Sequence, residues 1–120
     1  MKTILIIEDE SALQKTIGDA LAQEGFRTFS ALDGEVGLRL AAEKLPNIIL
    51  LDLILPKVNG FEVLKSLKKQ KETQGIPVIV LTNLESMEDI QKALDLGATT
   101  YLVKSSYTLQ ELVEKVQKAA

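Results

Sequence analysis

The chain has 120 residues, 46% of them apolar, with 14 basic residues against 17 acidic ones and neither cysteine nor histidine. That size and composition fit one compact domain over residues 1–120, and the missing residue types exclude disulfide frameworks, thiolate zinc sites, cysteine nucleophiles and imidazole bases. A net charge of −3 without a cationic stretch argues against phosphate-driven nucleic-acid binding, and no apolar run is long enough for a signal peptide or a membrane span. The expectation is a soluble, cytoplasmic protein whose chemistry rests on carboxylates, hydroxyls and lysines, with no direct contact to nucleic acid or membrane.

Ile4-Leu5-Ile6-Ile7 has the length and β-branched content of a strand buried on both faces. Leu13, Ile17 and Leu21 then recur at helical spacing, with Ser11 and Gln14 at capping-box distance and Gly25 placed to end the helix. Phe26 to Ala31 mixes polar and apolar positions, as edge strands do. Asp33 can cap a second helix carrying Val36 and Leu40, where Gly34 and Gly37 are read as easing the helix start.

Ile48-Ile49-Leu50-Leu51 repeats the buried-strand pattern and leads to a helix marked by Phe61, Leu64 and Leu67. Lys57, Lys65, Lys68, Lys69 and Lys71 alternate with Glu62 and Glu72 around that helix and read as a solvated face. Val78-Ile79-Val80-Leu81 is the third buried run; a helix with Ile90 and Leu94 follows, capped by Ser86 with Asp89 and closed by Gly97. A second edge-like segment, Thr99 to Val103, precedes a last helix with Leu109, Leu112, Val113 and Val116, opened by Thr108 and Glu111.

Five strands alternating with five helices imply an α/β fold with a parallel sheet and right-handed crossovers. With the two mixed segments at the edges, the expected order is 2-1-3-4-5, a doubly wound, flavodoxin-like sheet whose chain direction switches between strands one and three. Helices one and five should then share one face of the sheet and the other three the opposite face. Ligands of such sheets bind beyond the carboxyl ends of the strands at the switch point.

The residues due at that edge are Glu8 and Asp9 after the first strand, Asp52 after the third, Thr82 and Asn83 at the fourth, and Lys104 after the fifth. Three carboxylates within about 5 Å of one another would repel by roughly 3 kcal/mol per pair at an effective dielectric near 20, so the cluster calls for cations. Lys104 supplies one positive charge, and a hard divalent ion such as Mg²⁺ would supply two more. Carboxylates that can hold a metal, a free carboxylate nucleophile, a hydroxyl and a lysine are the parts of phosphoryl transfer to aspartate.

The motifs Ile6-Ile7-Glu8-Asp9-Glu10, Leu50-Leu51-Asp52-Leu53-Ile54-Leu55-Pro56 with Gly60-Phe61, Val78-Ile79-Val80-Leu81-Thr82, and Gly97-Ala98 with Tyr101-Leu102-Val103-Lys104 cover essentially the whole chain. Together they resemble the receiver domain of bacterial two-component response regulators, in its chemotaxis-regulator-like form. The resemblance implies that Asp52 accepts phosphate from a sensor histidine kinase or phosphotransfer protein. It implies that Glu8, Asp9, Asp52 and the Ile54 carbonyl arrange Mg²⁺, and that Thr82 and Lys104 bind phosphoryl oxygens. It further implies that Thr82 and Tyr101 act as a switch read by a downstream effector at the surface of strand five and helices four and five, with no catalysis beyond the domain's own phosphorylation and dephosphorylation.

The chain departs from the family pattern in three respects. Asn83 follows Thr82 in place of a small residue, Ser105 follows Lys104 in place of proline, and Thr99-Thr100 stand where many DNA-binding members carry an acidic pair. A trans Lys104-Ser105 bond is expected, since cis without proline costs about 3 to 4 kcal/mol. The alternative reading is a degenerate receiver that acts as a phosphorylation-independent interaction module.

Overall fold

The computed structural model describes residues 1–120. Its elements run β1 (Thr3–Ile7), α1 (Ser11–Gln23), β2 (Arg27–Ala31), α2 (Gly34–Lys44), β3 (Ile48–Leu51), α3 (Gly60–Lys69), β4 (Val78–Thr82), α4 (Met87–Asp95), β5 (Thr100–Val103), a single 3-10 turn (Lys104–Ser106) and α5 (Leu109–Ala119). All strand pairs are parallel and the order is β2-β1-β3-β4-β5, the flavodoxin-like arrangement expected.

Alternation along each central strand divides its side chains between two cores. Leu5 and Ile7 of β1 join Ile49 and Leu51 of β3 and pack on Ala41 of α2, Val63, Leu64 and Leu67 of α3, and Ala93 of α4. Ile4 and Ile6 turn the other way with Ile48, Leu50 and Ile79, against Ile17 and Leu21 of α1 and Leu112, Val113 and Val116 of α5. The helices thus divide as the topology requires, two on one face and three on the other. Each fully buried Leu or Ile contributes on the order of 2 kcal/mol, so this two-sided burial is what holds the strand ends in fixed register.

Most caps match the sequence. Asp33, Ser86 and Thr108 each accept a backbone N–H of the first turn, Thr108 and Glu111 form a reciprocal capping box, and Gly25 and Gly97 follow their helices at φ of +93° and +110°; Asn59 caps α3 in the same way without having been singled out in the sequence. The bond to Glu111 through Thr108 also holds the Glu111 carboxyl below its usual range. Ser11 is different: the N-cap of α1 is Glu10, no side chain caps this helix, and Gln14 sends its amide elsewhere.

Other local readings change as well. The apolar face of α4 buries Ala93 and leaves Leu94 exposed, because the short helix presents its small residue to the sheet. Leu109, at the first position of α5, is also exposed. Lys68 is not on a solvated face; its ammonium donates to the Gln74 and Ile76 carbonyls at 3.2 and 2.8 Å, and burial lowers its pKa. Gly34 serves close packing, since a Cβ there would strike the Val58 carbonyl. The Lys104-Ser105 bond is trans, as is every other peptide bond.

Candidate functional site

Register brings the site together. Ile7 pairs with Leu51, so the residues that follow, Glu8 and Asp52, emerge side by side, and the ladder continues one step through the Asp52 N–H to the Ile7 carbonyl at 3.0 Å. Thr82 pairs with Val103, which places Lys104 just beyond the same edge. Behind Asp52 the chain turns sharply into α3: Gly60 donates to the Leu53 carbonyl at 2.9 Å, and a Cβ at Gly60 would overlap the Asp52 carbonyl and Leu53 Cα. Only glycine lets α3 press against the peptide that carries Asp52.

Glu8, Asp52 and Thr82 are 3%, 5% and 0% exposed, whereas Asp9 stands out toward solvent. One carboxylate oxygen from each of Glu8, Asp9 and Asp52 lies within 4.8 Å of the others. Lys104 bridges the two buried acids, with Nζ 2.7 Å from Glu8 Oε1 and 2.9 Å from Asp52 Oδ2. The other Glu8 oxygen accepts the Glu10 N–H at 3.0 Å, and Asp52 Oδ1 accepts the Ile54 N–H at 3.2 Å. No buried side-chain polar atom lacks a partner, so the structure compensates what it buries.

Burial pushes the Glu8 carboxyl above its usual range, and the Asp52 charge adds to this, against the Lys104 and Glu10 hydrogen bonds. For Lys104, burial works to lower the pKa, but its bonds to Glu8 and Asp52 prevail and raise it. Three carboxylates against one ammonium leave a local charge of −2. The donor set is all oxygen, with Asp9 exposed and both buried acids already oriented, and it suits a hard divalent cation of the Mg²⁺ type.

Thr82 ends β4 with its hydroxyl accepting the Leu84 N–H at 3.5 Å. Tyr101, on β5, donates its hydroxyl to the Leu84 carbonyl at 2.7 Å, and burial followed by the charges of Asp89 and Asp52 raises its pKa. Ile54 and Leu84 flank the edge, Ile54 with half its surface exposed, and Asn83 is exposed. Glu8, Asp9, Asp52 and Lys104 come together at this edge, Thr82 ends the strand beside Lys104, Ile54 follows Asp52, and Tyr101 lies back within β5 opposite Val80 with its hydroxyl at the Leu84 carbonyl. The residue that reading the sequence missed is Gln14, taken for half of a capping box, whose side chain binds the strand ends beneath Glu8.

The response regulator receiver domain family matches residues 4–117. Among curated proteins, the DNA-binding dual master transcriptional regulator RpaA of a Synechocystis species is 38% identical over 98% of this chain and 48% of its own length. The transcriptional regulatory protein CiaR of Streptococcus pneumoniae is 39% identical over 98% of this chain and 50% of its own. The chain thus spans about half the length of the curated relatives it matches. Among solved structures, the chemotaxis response regulator CheY4 of Vibrio cholerae superposes with a TM-score of 0.92 at 27% identity, covering 100% of this chain and 99% of that one. The Mn²⁺-bound form of the response regulator Rcp1 does so with a TM-score of 0.83 at 31% identity, over 98% and 91%. With its strand order, its acidic pocket and a family match over nearly its full length, the chain belongs to the response regulator receiver domains of two-component systems.

Proposed function

We propose that residues 1–120 act as one receiver domain in which Asp52 takes a phosphoryl group from a phosphohistidine on a sensor histidine kinase or phosphotransfer protein. The observation that carries this reading is Asp52 itself, a carboxylate buried at the switch point and held by one lysine and one N–H between two further acids. An Asp52 carboxylate oxygen attacks phosphorus, the phosphorus–nitrogen bond breaks, and the imidazole leaves. Lys104, already within hydrogen-bond range of Asp52, and Thr82 would then bind phosphoryl oxygens.

Glu8, Asp9, Asp52 and the Ile54 carbonyl are the groups assigned to Mg²⁺, which when bound offsets the local charge and polarises the phosphoryl oxygens. The Mn²⁺-bound form of Rcp1, a relative in fold and sequence, supports a divalent ion here. The domain is not an enzyme in the ordinary sense, since it transforms only itself. Its output is a shift at Thr82 and Tyr101 that alters the surface of α4, β5 and α5 for an effector. The named relatives are transcriptional regulators, and we assign DNA contact, where a whole protein makes it, to segments outside this domain.

The test is labelling by acetyl phosphate with and without Mg²⁺. Wild type should be labelled only with the metal, and Asp52→Asn should fold normally yet take up nothing, because the amide keeps the shape and loses the nucleophile. Undiminished labelling of the variant would overturn the assignment. A wild type that is never labelled would favour the phosphorylation-independent interaction module.

A further inference from the structure

We propose that Gln14 is a positioning residue for the metal-binding acids, clamping the start of the β1–α1 loop through the backbone on which Glu8 and Asp9 are mounted. The proposal rests on the reading of Glu8, Asp9 and Asp52 as a divalent-cation site. Gln14 lies one turn into α1, and its Nε2 donates at 2.8 Å to the Ala31 carbonyl at the end of β2 and at 3.1 Å to the Glu8 carbonyl. Ala31 O also accepts the Glu8 N–H at 3.0 Å. One side-chain amide therefore ties both backbone polar groups of Glu8 to the edge strand, directly on one side and through a shared acceptor on the other.

The clamp sits where regular structure stops. Glu8 is past the end of β1, no backbone N–H reaches its carbonyl, and α1 begins without a side-chain cap. Without Gln14 the peptide between Glu8 and Asp9 would lose its anchor, although the Glu8 carboxylate would still meet Lys104. Asp9 is exposed, and the hydrogen bonds and ion pairs that orient the cluster fall on Glu8 and Asp52, so the placement of Asp9 depends on this peptide more than that of the buried acids does. Gln14 touches neither a ligand atom nor the nucleophile, which separates it from the acids it supports.

Partners that orient metal ligands are generally worth about 10- to 100-fold in metal affinity. Gln14 works one step further back, through the main chain, and its loss should weaken Mg²⁺ binding about 3- to 10-fold. The experiment is a calorimetric titration of Mg²⁺ into wild type, Gln14→Met and Ile4→Val, at a temperature where all three are folded. Methionine keeps the length and apolar stem of glutamine and removes the donors. Ile4→Val thins the core at the far end of β1, so it reports what destabilisation alone does to the metal. The expected result is weaker binding in Gln14→Met with Ile4→Val at the wild-type value. Should Gln14→Met not fold, Gln14→Asn, whose amide falls one methylene short of the carbonyls, carries the same expectation. Wild-type affinity in the Gln14 variant, or an equal loss in Ile4→Val, would overturn the clamp while leaving the metal site standing. A wild type that binds no Mg²⁺ would overturn the metal-site reading, and the clamp with it.

Discussion

Replacing Lys104 by methionine removes the one cation between two buried carboxylates. At 2.7 and 2.9 Å, and with an effective dielectric near 20, each contact is worth about 6 kcal/mol of Coulomb attraction before the cost of desolvating the ammonium. Glu8 and Asp52, no more than 4.8 Å apart, then repel by about 3.5 kcal/mol or more on the same basis. Stripping one partner from a buried charge cluster costs on the order of 3 to 5 kcal/mol net, which is the expected loss at mildly alkaline pH. The loss should depend on pH in a defined direction. Burial already holds the Glu8 carboxyl above its usual value of 4.5, and Lys104 is one of the groups that pull it back. In the variant it rises further, so the folded state binds that proton more tightly than the unfolded chain does, and stability falls as pH climbs from about 4.5 through the raised value. The stabilisation Lys104 gains from its own raised pKa is present below 10.5 and lost only above it, outside this window. Urea unfolding of both proteins at about pH 5 and pH 8, without divalent metal, should show a deficit that is larger at the higher pH. A deficit below about 1 kcal/mol, or one that does not grow with pH, would refute the reasoning.

Asp9→Asn should weaken Mg²⁺ binding about tenfold or more while modestly raising the melting temperature of the metal-free protein, since it removes one of three mutually repelling carboxylates. A metal-free melt in which the variant is clearly less stable would contradict this. The aspartyl phosphate should be long-lived, because Ile54 and Leu84 flank the site with side chains that can neither accept nor donate a hydrogen bond to an attacking water. After removal of the phosphodonor, Leu84→Asn or Ile54→Asn should shorten the lifetime about tenfold, and a wild type that decays within seconds would dispose of the argument.

The fold was legible because its signals were independent and agreed. Three wholly apolar runs matched buried central strands in length and β-branched content, and two mixed ones matched edges. The site was legible for a related reason: residues far apart in the chain stand at, or directly after, paired strand ends, so register gathers Glu8, Asp52, Thr82 and Lys104. What the sequence hid lies in side chains with two plausible uses. Gln14 stands three residues after a serine, a spacing that suggests a cap, but its side-chain amide donates instead to the carbonyls of Ala31, at the end of β2, and Glu8, just past β1. Lys68 belongs to a run of lysines that reads as solvated, and only the fold of the α3–β4 segment back across it reveals the Gln74 and Ile76 carbonyls as its acceptors. Gly34 carries no signal of the Val58 carbonyl, which approaches it from another loop.

The two tethers on Leu84 are unequal, and the inequality sets an order of events. Its N–H reaches Thr82 Oγ1 only at 3.5 Å, the far limit of a hydrogen bond, while its carbonyl receives the Tyr101 hydroxyl at 2.7 Å. Rotating the Thr82 hydroxyl toward a new acceptor therefore forfeits little, whereas displacing Tyr101 gives up a bond worth on the order of 1 kcal/mol. The threonine is the readily released member of the pair and the tyrosine the retained one. Rotation of the Thr82 hydroxyl is therefore compatible with an intact Tyr101–Leu84 bond, and the two side chains are not obliged to move together.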